Sequence, residues 1–141
     1  MTSEQKGLRL AAGITMAFGL TTALAAYPPT AGFTVMLTDL LVWPMDGAET
    51  GGSAEARLLY AIAGGVLVGW GWLIWQLAGD AIVRNPDGIR MLIRQSVMAW
   101  FAVDGIASLL AGAPLNLVGN LVFLALFLIP TALPGRSVSA S

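Results

Sequence analysis

The chain has 141 residues, of which 57% are hydrophobic and only 11% charged, with a formal net charge of −1. A water-soluble domain carries about 25% charged residues to solvate its surface, so this composition excludes a conventional soluble exterior and makes lipid the outer solvent. There is no Cys and no His. Thiol catalysis, disulfides, iron–sulfur clusters, ordinary zinc sites and His-ligated haem fall away, and the near-neutral charge offers no basic patch for nucleic acid. Neither a metal nor a cofactor is expected, and the usual catalytic triads are excluded.

Charge-free runs set the spans. Arg9 and Asp39 are separated by 29 uncharged residues, Arg57 and Asp80 by 22, and Arg94 and Arg136 by 41 residues interrupted only by Asp104. About 20 apolar residues cross a hydrocarbon core of about 30 Å, and Gly112-Ala113-Pro114 breaks the last run. Four helices are therefore predicted, over 8–27, 57–78, 89–111 and 115–133. At the first of these, Lys6, Arg9 and Ala23-Leu24-Ala25 imitate a secretory signal whose cleavage would leave three helices. A retained helix closed by Pro28-Pro29 is the expectation.

The segment 28–56 is expected outside. Phe33, Met36, Leu37, Leu40, Leu41 and Trp43 form an apolar stripe interrupted by Thr34, Thr38 and Asp39, which predicts a short amphipathic helix in the outer interface, ended by Pro44. Residues 46–53 read as a flexible polar loop, with Ser53 the N-cap of the second span.

In that span Gly65 and Gly69 form G-x-x-x-G, a spacing that lets another backbone approach closely. Trp70, Trp72 and Trp75 offer an aromatic wall for a flat lipophilic ligand, with packing or lipid contact as the simpler reading. Asn85-Pro86-Asp87-Gly88 then predicts a turn. Arg90 and Arg94 follow on one helix face, where anionic lipid headgroups are their expected partners.

Asp104 lies about 15 Å along the third span from Arg94, deep enough that a carboxylate is costly and must face the bundle interior or water. Ser108 sits one turn on. Asn116 and Asn120 share a face of the fourth span, and the tight turn makes the two spans antiparallel neighbours. A ladder Asp104–Asn120 and Ser108–Asn116 is predicted. It serves either as hydrogen-bond glue or as a proton- or ligand-binding carboxyl, whose burial without a cation favours the neutral acid.

Lys6, Arg9, Arg84, Arg90, Arg94 and Arg136 fall on one side of the four-pass arrangement and Arg57 on the other. The positive-inside rule then puts both termini in the cytoplasm. Together these readings predict an all-α, four-pass transmembrane bundle with a short external interfacial helix. It forms one integral domain over 1–136, followed by a disordered tail at 137–141.

Trp100-Phe101-x-Val103-Asp104-Gly105, with Gly112, Asn116 and Asn120, resembles short four-helix inner-membrane proteins of bacteria, of the broad DoxX-like kind. The resemblance implies a four-helix bundle, sometimes with an accessory role beside quinone-linked redox enzymes, and carries no catalytic residue. The expected function is non-enzymatic: a small inner-membrane accessory or structural subunit that binds lipid, another membrane protein or a second copy of itself. A small transporter or proton-coupled carrier using Asp104 is the alternative, and a quinone-linked redox accessory protein a further one.

Overall fold

The structure, a computed structural model, describes residues 1–42, 44 and 46–132. Trp43, Arg136 and the tail 137–141, for which interfacial anchoring, a topological charge and disorder are predicted, lie outside the described residues. Those residues are all-helical: α1 Ser3–Leu24, α2 Gly32–Leu41, α3 Ala54–Gln76, a short turn α4 Ile82–Arg84, α5 Pro86–Leu110 and α6 Pro114–Ala132. Three segments are long and apolar enough to cross a membrane, namely Ser3–Leu24, Ala54–Arg84 and Pro114–Ala132. At 25 residues α5 is also long, but Arg90, Arg94 and Asp104 make it more polar.

Capping places the helix ends. Helix α1 starts five residues before the predicted boundary because Thr2 and Gln5 form a capping box. The Thr2 hydroxyl accepts from the Gln5 amide at 3.1 Å, and Gln5 Oε1 accepts from the Thr2 amide at 2.9 Å. Ser53 caps α3 as expected, its Oγ accepting from the Ala56 amide at 3.1 Å, so this helix begins three residues before the predicted position 57. Pro86, predicted within a turn, instead occupies the first position of α5, where its missing N–H costs nothing. Asn85 caps that helix through the Gly88 amide at 3.1 Å.

The predicted break between the last two spans is a Schellman turn. Gly112 adopts φ 76°, which glycine tolerates. The Ala113 amide reaches the Ser108 carbonyl at 2.9 Å, closing the end of α5.

Helix α1 packs antiparallel against both α3 and α6, and α6 antiparallel against α5. Their tightest core is Leu8, Ala11, Ala12, Ile74, Ala78, Ile82, Ile93, Val97 and Phe127, all near the end of the bundle that carries the chain's N-terminus. There α3 passes into a wider π-type turn, with Gly79 leaving helical backbone at φ −85° and ψ −131°. Gln5 Nε2 donates to the freed Ala78 and Gly79 carbonyls at 3.2 Å each. One side chain therefore caps α1 and satisfies the kink in α3.

The close approach of α1 and α3 is made by Gly19, Gly64 and Gly71. A Cβ added at Gly19 would meet Leu67 Cβ at 2.7 Å, one at Gly71 would meet Met16 Cγ at 2.6 Å, and one at Gly64 would fall on the backbone of Gly19 and Ala23. This corrects the assignment of close packing to Gly65 and Gly69. An added Cβ at either meets nothing within 4 Å, so within the chain they face outward.

Helix α2 lies at the opposite end of the bundle and turns its polar side toward the protein. Thr34 and Asp39 are buried while Phe33, Met36 and Leu40 are exposed. The Thr38 hydroxyl meets Tyr60 Oη of α3 at 3.3 Å, and Asp39 accepts from the Gly47 amide at 2.8 Å. An apolar outward face is what a lipid-like surround selects.

Candidate functional site: a polar ladder beside an apolar chamber

The four predicted polar residues of α5 and α6 come together. Asp104 Oδ2 accepts from Asn120 Nδ2 and, at 3.4 Å, from Asn116 Nδ2. Asn116 Nδ2 also donates to Ser108 Oγ at 2.8 Å, and Ser108 Oγ donates to the Asp104 carbonyl at 2.7 Å. Ser108 and Asn120 are buried, while Asp104 and Asn116 are partly accessible. The antiparallel hairpin and the i, i+4 spacing on each helix produce this register. Side-chain hydrogen bonds of this kind contribute about 0.6–2 kcal/mol each within a membrane, enough to fix the pairing of α5 with α6.

Two cavities meet at the ladder. One, of about 680 Å³, is a chamber bounded by α1, α2, α3, α5 and α6. Its apolar wall includes Phe18, Phe33, Leu67, Trp100 and Phe123, and Tyr60, Thr38, Asp104, Asn116 and Asn120 supply the polar edge. The other, of about 360 Å³, is an open cleft between α2 and the α5–α6 turn. Thr38, Leu41, Asp104 and Asn116 line both. Volumes of this size suit small-molecule sites, which run from about 300 to 1,000 Å³.

The predicted tryptophan wall is not one surface. Trp70 stacks inside the bundle, its ring centroid 5.5 Å from Trp100 and 5.4 Å from Phe127. Trp72 is exposed, and Trp75 lies beneath Arg9, whose guanidinium carbon is 5.3 Å from the ring centroid. Residues 70, 72 and 75 point apart because two- and three-residue steps turn a helix by roughly 200° and 300°. The aromatic wall that does form joins Trp70 and Trp100 to Phe123 and Phe18, whose rings lie 5.4 Å apart. Trp100, one turn before Asp104, is the signal through which it could have been found.

Arg90 is turned toward the protein, whereas Arg94 is exposed and also hydrogen-bonded to α6. Arg90 makes a two-pronged pair with Glu4 of α1, Nε to Oε1 at 2.6 Å and Nη2 to Oε2 at 2.7 Å. Arg94 donates from Nε to Thr131 Oγ1 at 3.1 Å and from Nη2 to the Thr131 carbonyl. Glu4, only 4% exposed, is the counter-ion that draws Arg90 inward, and Arg94 satisfies a carbonyl near the end of α6.

A second acidic cluster was not foreseen. Carboxylate oxygens of Asp39, Asp46 and Glu49 converge within 4.8 Å of one another in the loop after α2. Desolvation first, and hydrogen bonding to Asp39 second, raise the Glu49 carboxyl above its ordinary value. An upward shift stabilises the folded loop at low pH, and that contribution disappears as pH climbs past the raised value. Exchange of the Gly47 amide, corrected for intrinsic chemistry, should therefore accelerate as Glu49 ionises. Glu49→Gln should remove that pH dependence, and a wild-type loop insensitive to pH would contradict it.

Comparison with protein-family models, with curated proteins and with solved structures finds no match to this chain. The DoxX-like resemblance therefore rests on the residue pattern alone.

Proposed function

We propose that this chain is a non-catalytic, four-pass inner-membrane protein that holds a lipid-like molecule in the chamber between α2 and the bundle. The observation that carries this reading is the chamber itself: about 680 Å³, mostly aromatic and aliphatic, with the hydrogen-bonded Asp104, Asn116 and Asn120 in its wall. An elongated apolar guest with a small polar head matches that division. Helix α5 is the fourth span in this reading, its Arg90 paired with Glu4 of α1 and its Arg94, Asp104 and Ser108 hydrogen-bonded to α6.

Both termini are proposed to be cytoplasmic. Lys6, Arg9, Arg84, Arg90 and Arg94 gather at the tightly packed end, which supports the positive-inside assignment. Helix α2 then lies in the outer interface, its exposed Phe33, Met36 and Leu40 toward lipid. An accessory role beside a membrane partner, or a second copy, is supported by the outward face of α3, where Gly65 and Gly69 lie open between exposed Ile62 and Trp72.

A second reading, a proton-coupled carrier, is favoured by one observation: Asp104 lines both the chamber and the open cleft. A proton-coupled cycle would lose its dependence on a pH gradient in Asp104→Asn.

The chamber reading is tested with full-length protein in phosphatidylcholine nanodiscs, titrated with dodecanol and followed by tryptophan emission after subtraction of empty discs. Saturable binding is expected. Gly119 lines the chamber, and a Cβ there meets nothing within 4 Å. Gly119→Phe should fold and weaken binding about tenfold, equivalent to losing roughly two methylene contacts. No saturable response, or an unchanged one in a folded Gly119→Phe protein, overturns the reading.

A further inference from the structure

The ladder leaves more acceptors than donors free toward the chamber. Both carboxamides turn their nitrogens toward Asp104 Oδ2. Their own oxygens accept no hydrogen bond among the described residues, and neither does Asp104 Oδ1. Three acceptors are therefore free at this edge, Asp104 Oδ1 and the two carboxamide oxygens, against one free Nδ2–H of Asn120. Among the described residues no Lys or Arg lines either cavity, so no cation among them answers an ionised Asp104. Tyr60, Trp100 and Phe123 line the same chamber, and aromatic faces attract cations.

We infer that the guest is a cationic amphiphile: a long-chain ammonium compound whose head donates hydrogen bonds to Asp104 and the two Asn oxygens while its tail fills the chamber. This rests on the chamber reading above and narrows it to one headgroup class. An ammonium supplies the missing positive charge and three donors for the three free acceptors, and charge-assisted hydrogen bonds are about twice as strong as neutral ones. A carboxylate head would meet Asp104 as a like charge. A hydroxyl head would use the acceptors and leave the charge unanswered. The cleft that opens beside Asp104 lets the head reach the ladder while the tail lies in the apolar space.

The test compares dodecylamine, dodecanol and dodecanoate with the full-length protein in phosphatidylcholine nanodiscs, read by tryptophan emission and corrected for partitioning into empty discs. Dodecylamine is expected to bind about tenfold to a hundredfold more tightly than dodecanol, with dodecanoate weakest. In Asp104→Asn the preference for the amine over the alcohol should vanish, with the fold of the variant checked by circular dichroism. Asp104→Glu keeps the charge and should keep the preference. If dodecanol saturates but dodecylamine binds no better, or if Asp104→Asn retains the amine preference, the cationic assignment is wrong and the chamber reading stands. If none of the three saturates, the chamber reading falls and takes the assignment with it.

Discussion

Gly64→Leu is expected to separate α1 from α3 and to lower stability by more than about 3 kcal/mol, beyond the usual overpacking range. The reason is where the new atoms would go. A Cβ at Gly64 falls on backbone atoms of Gly19 and Ala23, and backbone cannot evade by changing rotamer. The two helices would have to move apart along a seam that continues through Gly19 and Gly71, and close backbone packing is the main attraction available between helices in lipid. Gly65→Leu, one residue on, is the control: a Cβ there meets nothing within 4 Å, so its effect should stay within about 0.5 kcal/mol. Unfolding in a graded mixture of mild detergent and dodecyl sulfate, followed by circular dichroism, distinguishes the two. Equal stabilities would refute the assigned rotation of α3.

Arg90→Met is expected to cost about 3 kcal/mol, the lower end of the range for breaking a buried ion pair. Glu4 is 4% exposed, and Arg90 is its only salt-bridge partner among the described residues. Removal of the guanidinium strands a carboxylate between α1 and α5. The lower end applies because the Arg90 side chain is itself 23% exposed, so water can partly answer the orphaned charge. Glu4→Gln combined with Arg90→Met should recover much of the loss, since neither charge then remains. The same detergent titration gives the coupling between the sites. A double variant as unstable as the sum of its parts would show that the pair contributes no mutual stabilisation.

Three of the predicted spans were legible because charge is so costly in hydrocarbon that its absence over long runs marks the helices. The Asp104 ladder was legible for the same reason: polar groups in an apolar helix are forced toward one another, and the Gly112 turn fixed which would meet. The rotation of α3 was not. In a soluble protein an apolar stripe marks the buried face, but lipid is as apolar as a protein core, so hydropathy does not separate Gly64 from Gly65. Close approach does.

The same ambiguity applies to α2, whose Met36 and Leu40 face out while Leu37 and Leu41 line the chamber beside buried Thr34 and Asp39. Arg90 illustrates a different limit. Its partner lies 86 residues away in the sequence, and charge spacing within one loop carries no information about a contact made by the N-terminal helix. The early start of α1 was available in principle, because Thr2 and Gln5 hold capping-box spacing, yet the polar run around them resembles a solvated leader.

The molecule is solid at one end and hollow at the other. Where Glu4, Gln5, Arg90 and Arg94 tie helix ends together, nothing can part without breaking several bonds at once. Near Thr38 and Tyr60 a single hydroxyl pair joins the covering helix to α3. Breathing motions should therefore behave as in a clothes-peg, with a clamped spring end and jaws that part on the far side, so that amide protection declines along α3 from Ile74 toward Tyr60.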